Sequence, residues 1–127
     1  MDYLSVLAAG AAAWVFGAVW YGVMGKAWMA EAGLTDDTMN KKNVPAFVGS
    51  FICALLVAGM TRHAFVTAGV YAPLSGFISG LGLGLFIAAP WIVTNYLFAQ
   101  RSVKLMLIDG VYAVSGCAII GLVLTLI

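Results

Sequence analysis

The sequence predicts an all-α protein, a bundle of four transmembrane helices joined by short loops. Of its 127 residues, 64% are hydrophobic and only 9% are charged, and the mean hydropathy is +1.06. A soluble domain carries about 25% charged residues, because its surface faces water. Six basic and five acidic side chains cannot cover a chain of this length, so its surroundings are mainly lipid. We expect residues 1–127 to form a single integral membrane domain.

Four apolar stretches are long enough to cross a bilayer, which takes about 20 residues of helix. We place these stretches at residues 3–24, 45–63, 73–98 and 103–126. Pro45 and Pro73 suit the first turn of a helix, where the missing N–H costs no hydrogen bond. The break after the first stretch, KAWMAEAGLTDDTMNKKN, has the composition of a loop. The break around RHAFVTAGVYA is less polar, and AQRSVK reads as a tight turn.

The distribution of lysine and arginine predicts the orientation of the helices. Basic residues concentrate in the first and third loops, which hold Lys26, Lys41, Lys42, Arg101 and Lys104. The second loop holds only Arg62. Cytoplasmic loops are enriched in basic residues, so we expect both termini outside and the first and third loops in the cytoplasm. The expected location is the bacterial inner (cytoplasmic) membrane.

Aromatic and basic side chains gather where the first and third spans reach the basic loops. Tryptophan and tyrosine favour the headgroup layer, because the ring is apolar and its N–H or O–H can stay hydrated. Lysine and arginine extend along such rings into water. We therefore predict a set of interface anchors: Trp20, Lys26, Trp28, Trp91, Tyr96 and Arg101.

Small residues recur every four positions along the third span and predict a close helix contact. This seam consists of Gly76, Gly80, Gly84 and Ala88, a doubled GxxxG pattern. Helices in lipid pack through close contact between small side chains. The other spans carry weaker patterns of the same kind, such as Ala9, Ala13 and Gly17 in the first. We expect the glycine seam of the third span to be exposed and to bury against another chain.

Polar residues continue these seams toward the cytoplasmic end and predict an interior polar cluster. By helical spacing, Tyr21, Asn95 and Asp109 point inward at similar depth. Lys104 and Tyr112 lie one to two turns from Asp109 on the same span. A carboxylate inside a membrane helix is costly and marks either a structural lock or a functional site. Asp109 could pair with Lys104, Arg101, Asn95 or Tyr21 to lock the bundle, or it could bind a proton or cation.

Other residues offer little chemistry. Cys53 and Cys117 sit in apolar runs without a CxxC pattern, so we interpret them as packing residues. His63 is the only histidine, and no acidic cluster has metal-ligand spacing. The net charge of +1 gives no nucleic-acid footprint. We predict no cofactor and no metal, and expect bound lipid.

The segments GAVWYG, GKAWM and NYLFAQRSVKLMLIDGVY resemble a bacterial membrane family called domain of unknown function 1761. The resemblance extends over essentially the whole chain and implies a four-helix membrane protein without an assigned reaction. Its most distinctive positions are Gly17, Trp20, Tyr21, Gly25, Lys26, Trp28, Asn95, Tyr96, Asp109 and Tyr112.

Three classes of function are compatible with this sequence. The first is a non-enzymatic membrane component, either a homo-oligomer or an accessory subunit of a larger membrane complex. The alternative is a small proton- or cation-coupled transporter or channel, which would need at least a dimer to enclose a path. The third, an enzyme of the lipid phase, lacks the motifs HExxH and GxSxG. We expect a protein without enzymatic activity.

Overall fold

The structure, a computed structural model, describes residues 2–35, 37 and 43–127, and all regular secondary structure in these residues is helical. The helices are α1 (Tyr3–Val23), α2 (Gly25–Ala32), α3 (Val44–Ala68), α4 (Pro73–Phe98) and α5 (Val103–Leu126). Four of them, α1, α3, α4 and α5, are 21 to 26 residues long and apolar enough to cross a membrane. These four helices indicate a multi-pass membrane protein.

The structure differs from the predicted elements at one helix end and in one additional short helix. Helix α3 continues past His63 to Ala68 and ends at Gly69, whose φ of 75° is in the left-handed region. The apolar segment after His63 extends the helix until a glycine can adopt that conformation. Helix α2 occupies the start of the stretch that we predicted to be a loop, and it ends at Gly33 with a φ of 77°. Lys41 and Lys42 lie outside the described residues.

The long helices pack around α5, which contacts each of the other three. Helix α5 lies in the middle, with α4 on one side and α1 on the other. Helix α3 packs against α1 and, less extensively, against α5. Helices α3 and α4 do not pack together along their lengths, so a groove remains between them above α5.

The glycine seam of α4 packs against α5 of the same chain. Gly76, Gly80 and Gly84 are all buried. A Cβ on Gly80 would overlap the carbonyl oxygen of Cys117, and one on Gly84 would lie 2.6 Å from the Cα of Val114. The absence of a side chain therefore lets the two backbones touch. Our expectation that this seam buries against another chain is wrong, because α5 already covers it.

A π-helical turn interrupts α4 at Gly84–Ala88, just before Pro90. Proline lacks an N–H and cannot bond the carbonyl four residues back. A π turn inserts one extra residue into the helical ladder. Every side chain after this turn is consequently rotated by about one residue relative to an uninterrupted α-helix, about 100°.

The apolar core lies toward the ends of the helices that are opposite to Asp109. It joins α1, α3 and α5 through Ala9, Ala13, Ala58, Phe65, Ile120 and Leu124. Arg62 lies at this end, with its guanidinium 5.0 Å from the centre of the Tyr3 ring. The opposite end carries Lys26, Arg101 and Lys104, and we call it the basic end. The two ends thus differ in chemistry, and the polar groups that could form a site belong to the basic end.

Candidate functional site

Asp109 is the only carboxylate buried among the described residues, with 9% of its surface exposed. It lies on α5, which begins at Val103 after the N-cap Ser102. Six residues of helix separate Asp109 from Val103, which is about 9 Å along the helix axis. The side chain therefore lies among the packed helices, farther from the start of α5 than Arg101 and Lys104.

Three neutral donors from three different helices converge on the Asp109 carboxylate. The Tyr21 hydroxyl of α1 donates to Oδ1, and the Trp28 indole of α2 donates to the same oxygen at 3.1 Å. The Tyr96 hydroxyl of α4 donates to Oδ2 at 2.5 Å. Both oxygens act as acceptors, as in an ionised carboxylate. Asp109 thereby joins the ends of α1, α2, α4 and α5, and we call Tyr21, Trp28, Tyr96 and Asp109 the carboxylate hub.

Aromatic rings pack around the hub. The Tyr21 ring meets Trp28 edge-on at a centroid distance of 6.0 Å and Tyr112 at 5.3 Å. Tyr112 lies against Gly17, where an added Cβ would be 2.7 Å from its ring. The glycine therefore makes room for this ring between α1 and α5. Close to the hub, the Trp20 indole donates to the Ile108 carbonyl at 3.0 Å.

A cavity of about 580 Å³ opens beside the hub. Asp109 lines it together with the rings of Tyr21, Trp28, Tyr96 and Tyr112. Gly25, Met29 and Ile92 complete the wall. A Cβ added to Gly25 would meet no atom within 4 Å, so this glycine borders open space. The cavity combines one negative side chain with an otherwise aromatic and apolar wall.

Arg101 fixes the far end of α2 instead of pairing with Asp109. Its guanidinium donates to the Ala32 carbonyl at 3.1 Å. Ala32 is the last residue of α2, and the last carbonyls of a helix lack partners within the helix. This bond ties α2 to the turn before α5, so α2 is held at both Trp28 and Ala32.

Asn95 and Lys104, two members of the predicted polar cluster, are exposed rather than directed at Asp109. In an uninterrupted α-helix, residue 95 would lie on the same face as Gly84, because eleven residues make about three turns. The π turn inserts one residue, so Tyr96 takes that place and Asn95 faces outward. Of the four partners predicted for Asp109, three are wrong (Lys104, Arg101 and Asn95) and Tyr21 is confirmed. The described partners are two tyrosines and a tryptophan. Tyr21, Asp109 and Tyr112 do lie together.

The sequence-predicted interface anchors divide into two groups. Lys26, Trp91 and Arg101 are exposed, and their place at a membrane surface stays a prediction. Trp20, Trp28 and Tyr96 are half-buried and donate their N–H or O–H groups inside the protein. Sequence reasoning therefore missed Trp28 and Tyr96 as partners of Asp109. The sequence does hold a signal for Tyr96: Pro90 follows a glycine-rich segment, which favours an irregular turn. Such a turn changes which residues after it face α5.

Comparison with known proteins identifies the family of this chain. No curated protein and no solved structure matches the chain. The family model described as "Protein of unknown function (DUF1761)" matches residues 4–125, which confirms the resemblance noted from the sequence. Because this match spans nearly the whole chain, the protein belongs to the DUF1761 family.

Proposed function

We propose that this protein is a non-enzymatic component of a membrane protein assembly and that it receives a transmembrane helix of its partner in the groove between α3 and α4. We place it in the bacterial inner membrane, with the basic end in the cytoplasm and both termini outside. The orientation is supported by the basic residues of the first and third loops, which exceed those of the second.

The groove is the observation that carries this proposal. Its volume is about 300 Å³, and small side chains of α1, α3, α4 and α5 form most of its wall, including Ala13, Ala54, Ala88, Ala113, Gly116 and Cys117. In the apolar 18-residue stretch of α3, only 11% of the residues are buried within the chain. Small residues let another helix approach closely in lipid, where contact rather than hydrophobicity drives association. The groove therefore suits a helix better than it suits loosely packed lipid chains.

The carboxylate hub supports a structural rather than a catalytic role for Asp109. General acid–base catalysis requires a proton-exchanging group that can reach a reacting atom. Both Asp109 oxygens are engaged by donors from other helices, and each of these bonds connects helix ends. Hydrogen bonds to a charged group contribute about 1.5–3 kcal/mol each to stability. We assign the hub the task of holding the basic end together while the groove binds a partner.

The native cysteines allow a direct test, because Cys53 and Cys117 both line the groove. Treatment of native membranes with a membrane-permeant maleimide–benzophenone reagent should attach the maleimide to a groove cysteine and, on illumination, insert the benzophenone into a C–H bond of the partner helix. Intact-mass measurement after extraction in a gentle detergent then separates a second copy from a different subunit. A wild-type chain that is extracted at monomer mass and forms no cross-linked product contradicts the proposal.

A matched pair of substitutions locates the interface. Cys53→Trp fills the groove and should release the partner, whereas Leu56→Trp places the same bulk on a side chain that is 68% exposed and outside the groove. The assembly mass should fall for the first variant and remain unchanged for the second. If the assembly mass is the same for both variants, the interface lies elsewhere and the groove no longer supports the proposal.

A second candidate function, a small cation-coupled transporter acting as a homo-oligomer, is favoured by one observation. Asp109 lines a cavity as well as joining helices. An intramembrane carboxylate that reaches a cavity is a typical coupling site. Transport measured in proteoliposomes should then disappear in Asp109→Asn, and transport that survives this substitution removes the coupling role.

A further inference from the structure

We infer that the cavity beside the carboxylate hub is a binding site for a small organic cation with an alkylated ammonium group. The inference concerns the cavity lined by Tyr21, Trp28, Tyr96, Asp109 and Tyr112. It does not depend on the assembly proposed above, because the groove between α3 and α4 is a different surface.

The charge of the cavity supports a cationic ligand. Within the described residues, all three donors to Asp109 are neutral. None of the described basic side chains at the basic end pairs with Asp109, since Lys26 and Lys104 are exposed and Arg101 donates to Ala32. Oδ2 receives one hydrogen bond and each carboxylate oxygen can accept about two. The cavity therefore offers a negative charge that no described basic side chain neutralises by direct pairing.

The walls of the cavity select an organic cation over a metal ion. Hard metal ions such as Ca²⁺ or Mg²⁺ need six or more oxygen ligands, or several retained waters. Here the carboxylate is surrounded by an indole and phenol rings, and an indole N–H cannot ligate a metal. Aromatic faces attract alkylammonium groups through cation–π interactions, which is how quaternary ammonium ligands are bound in aromatic cages.

The dimensions of the cavity agree with a ligand of this class. Its volume of about 580 Å³ lies within the range of about 300–1,000 Å³ typical of small-molecule sites. Met29 and Ile92 provide an apolar wall beside the rings, and Gly25 leaves space open at the margin. A cation that carries a hydrophobic group could therefore place its charge near Asp109 and its apolar part against Met29 and Ile92.

Equilibrium dialysis with radiolabelled benzyltrimethylammonium tests the inference. The full chain is placed in nanodiscs of phosphatidylcholine, and empty nanodiscs measure partition into lipid. We expect saturable binding of one probe per chain, competition by unlabelled probe, and little competition by neopentylbenzene, its neutral isostere. Binding no greater than that of empty nanodiscs overturns the inference, and so does equal competition by the neutral isostere.

Variants test separately the two features of the site, the negative charge and the aromatic wall. Asp109→Asn removes the charge and should weaken probe binding at least tenfold. Because this variant also disturbs the hub, Tyr112→Leu provides a second test: no described hydrogen bond joins Tyr112 to Asp109, and the loss of one ring should weaken binding about 2- to 30-fold. Trp91→Leu, which changes an aromatic side chain that is 66% exposed and outside the cavity, is the control and should bind like wild type.

Two outcomes of the variant series contradict the inference. The first is wild-type affinity in both Asp109→Asn and Tyr112→Leu, which places the probe elsewhere. The second is full displacement of the probe by sodium or potassium ions at equal concentration, which shows that the site recognises charge alone. Each result is independent of the assembly mass, so failure here and failure of the proposed groove are distinguishable.

Discussion

Replacement of Gly80 by alanine should weaken the contact between α4 and α5, whereas the same replacement at Gly82 should not. Gly80 is buried against α5, and an added Cβ would lie 3.1 Å from the carbonyl carbon of Cys117 and 3.2 Å from the Cα of Ala118. It would overlap the carbonyl oxygen of Cys117 more severely. A Cβ on Gly82 would meet no atom within 4 Å.

The magnitude follows from the kind of atoms at the contact. The atoms that oppose Gly80 belong to the backbone and cannot turn aside as a side chain can, so the two helices must separate. Overpacking of this kind costs about 1–3 kcal/mol. Both variants gain about 0.5–1 kcal/mol from the better helix propensity of alanine. The gain cancels in the comparison, and Gly80→Ala should be less stable than Gly82→Ala by about 1–3 kcal/mol.

The assay is reversible unfolding in mixed micelles by titration with sodium dodecyl sulfate, followed by circular dichroism. The free energy of unfolding of both variants is compared with that of wild type under the same lipid and detergent conditions. Equal stability of Gly80→Ala and Gly82→Ala would refute the close backbone contact between α4 and α5.

Two further predictions concern the helix caps. Hydrogen bonds from the backbone N–H and the hydroxyl of Ser5 lower the pKa of the Asp2 carboxyl below its usual value of 3.8. The stability contributed by this charge should be complete above about pH 5, one unit above the unfolded pKa, and lost as the pH falls through the lowered pKa. The stability difference between wild type and Asp2→Asn should therefore shrink between pH 6 and pH 3, and a constant difference contradicts this. Ser102 accepts from the Leu105 N–H at 3.1 Å, so Ser102→Ala should cost about 1 kcal/mol in the same unfolding assay, whereas Ser102→Asp should retain most of the stability.

The sequence was sufficient to predict the features that depend on local pattern. Length and hydropathy predicted four helices able to span a membrane, and glycine spacing predicted a close helix contact along α4. Helical periodicity placed Tyr21 and Asp109 on facing surfaces. These predictions succeed because α-helices in lipid follow a regular period and pack through their smallest residues.

The sequence did not reveal which surface each pattern contacts. A seam of small residues specifies a close partner but not whether the partner belongs to the same chain, and Gly80 proved to face α5. Helical periodicity also fails across an irregular turn. Because of the π turn before Pro90, Tyr96 rather than Asn95 faces Asp109. Trp28 reaches Asp109 because a short helix forms in a stretch with loop composition, a tertiary outcome that periodicity does not encode.

A pair of double-mutant cycles tests the carboxylate hub most directly. One cycle combines Tyr96→Phe with Asp109→Asn, and the other combines Asn95→Ala with Asp109→Asn, with unfolding free energies measured in the same mixed micelles. Tyr96 donates to Asp109 at 2.5 Å, whereas Asn95 is exposed. The hub predicts a coupling energy of about 1–3 kcal/mol for the Tyr96 cycle and additivity within about 0.5 kcal/mol for the Asn95 cycle. Additivity in the Tyr96 cycle, or strong coupling in the Asn95 cycle, would contradict the hub.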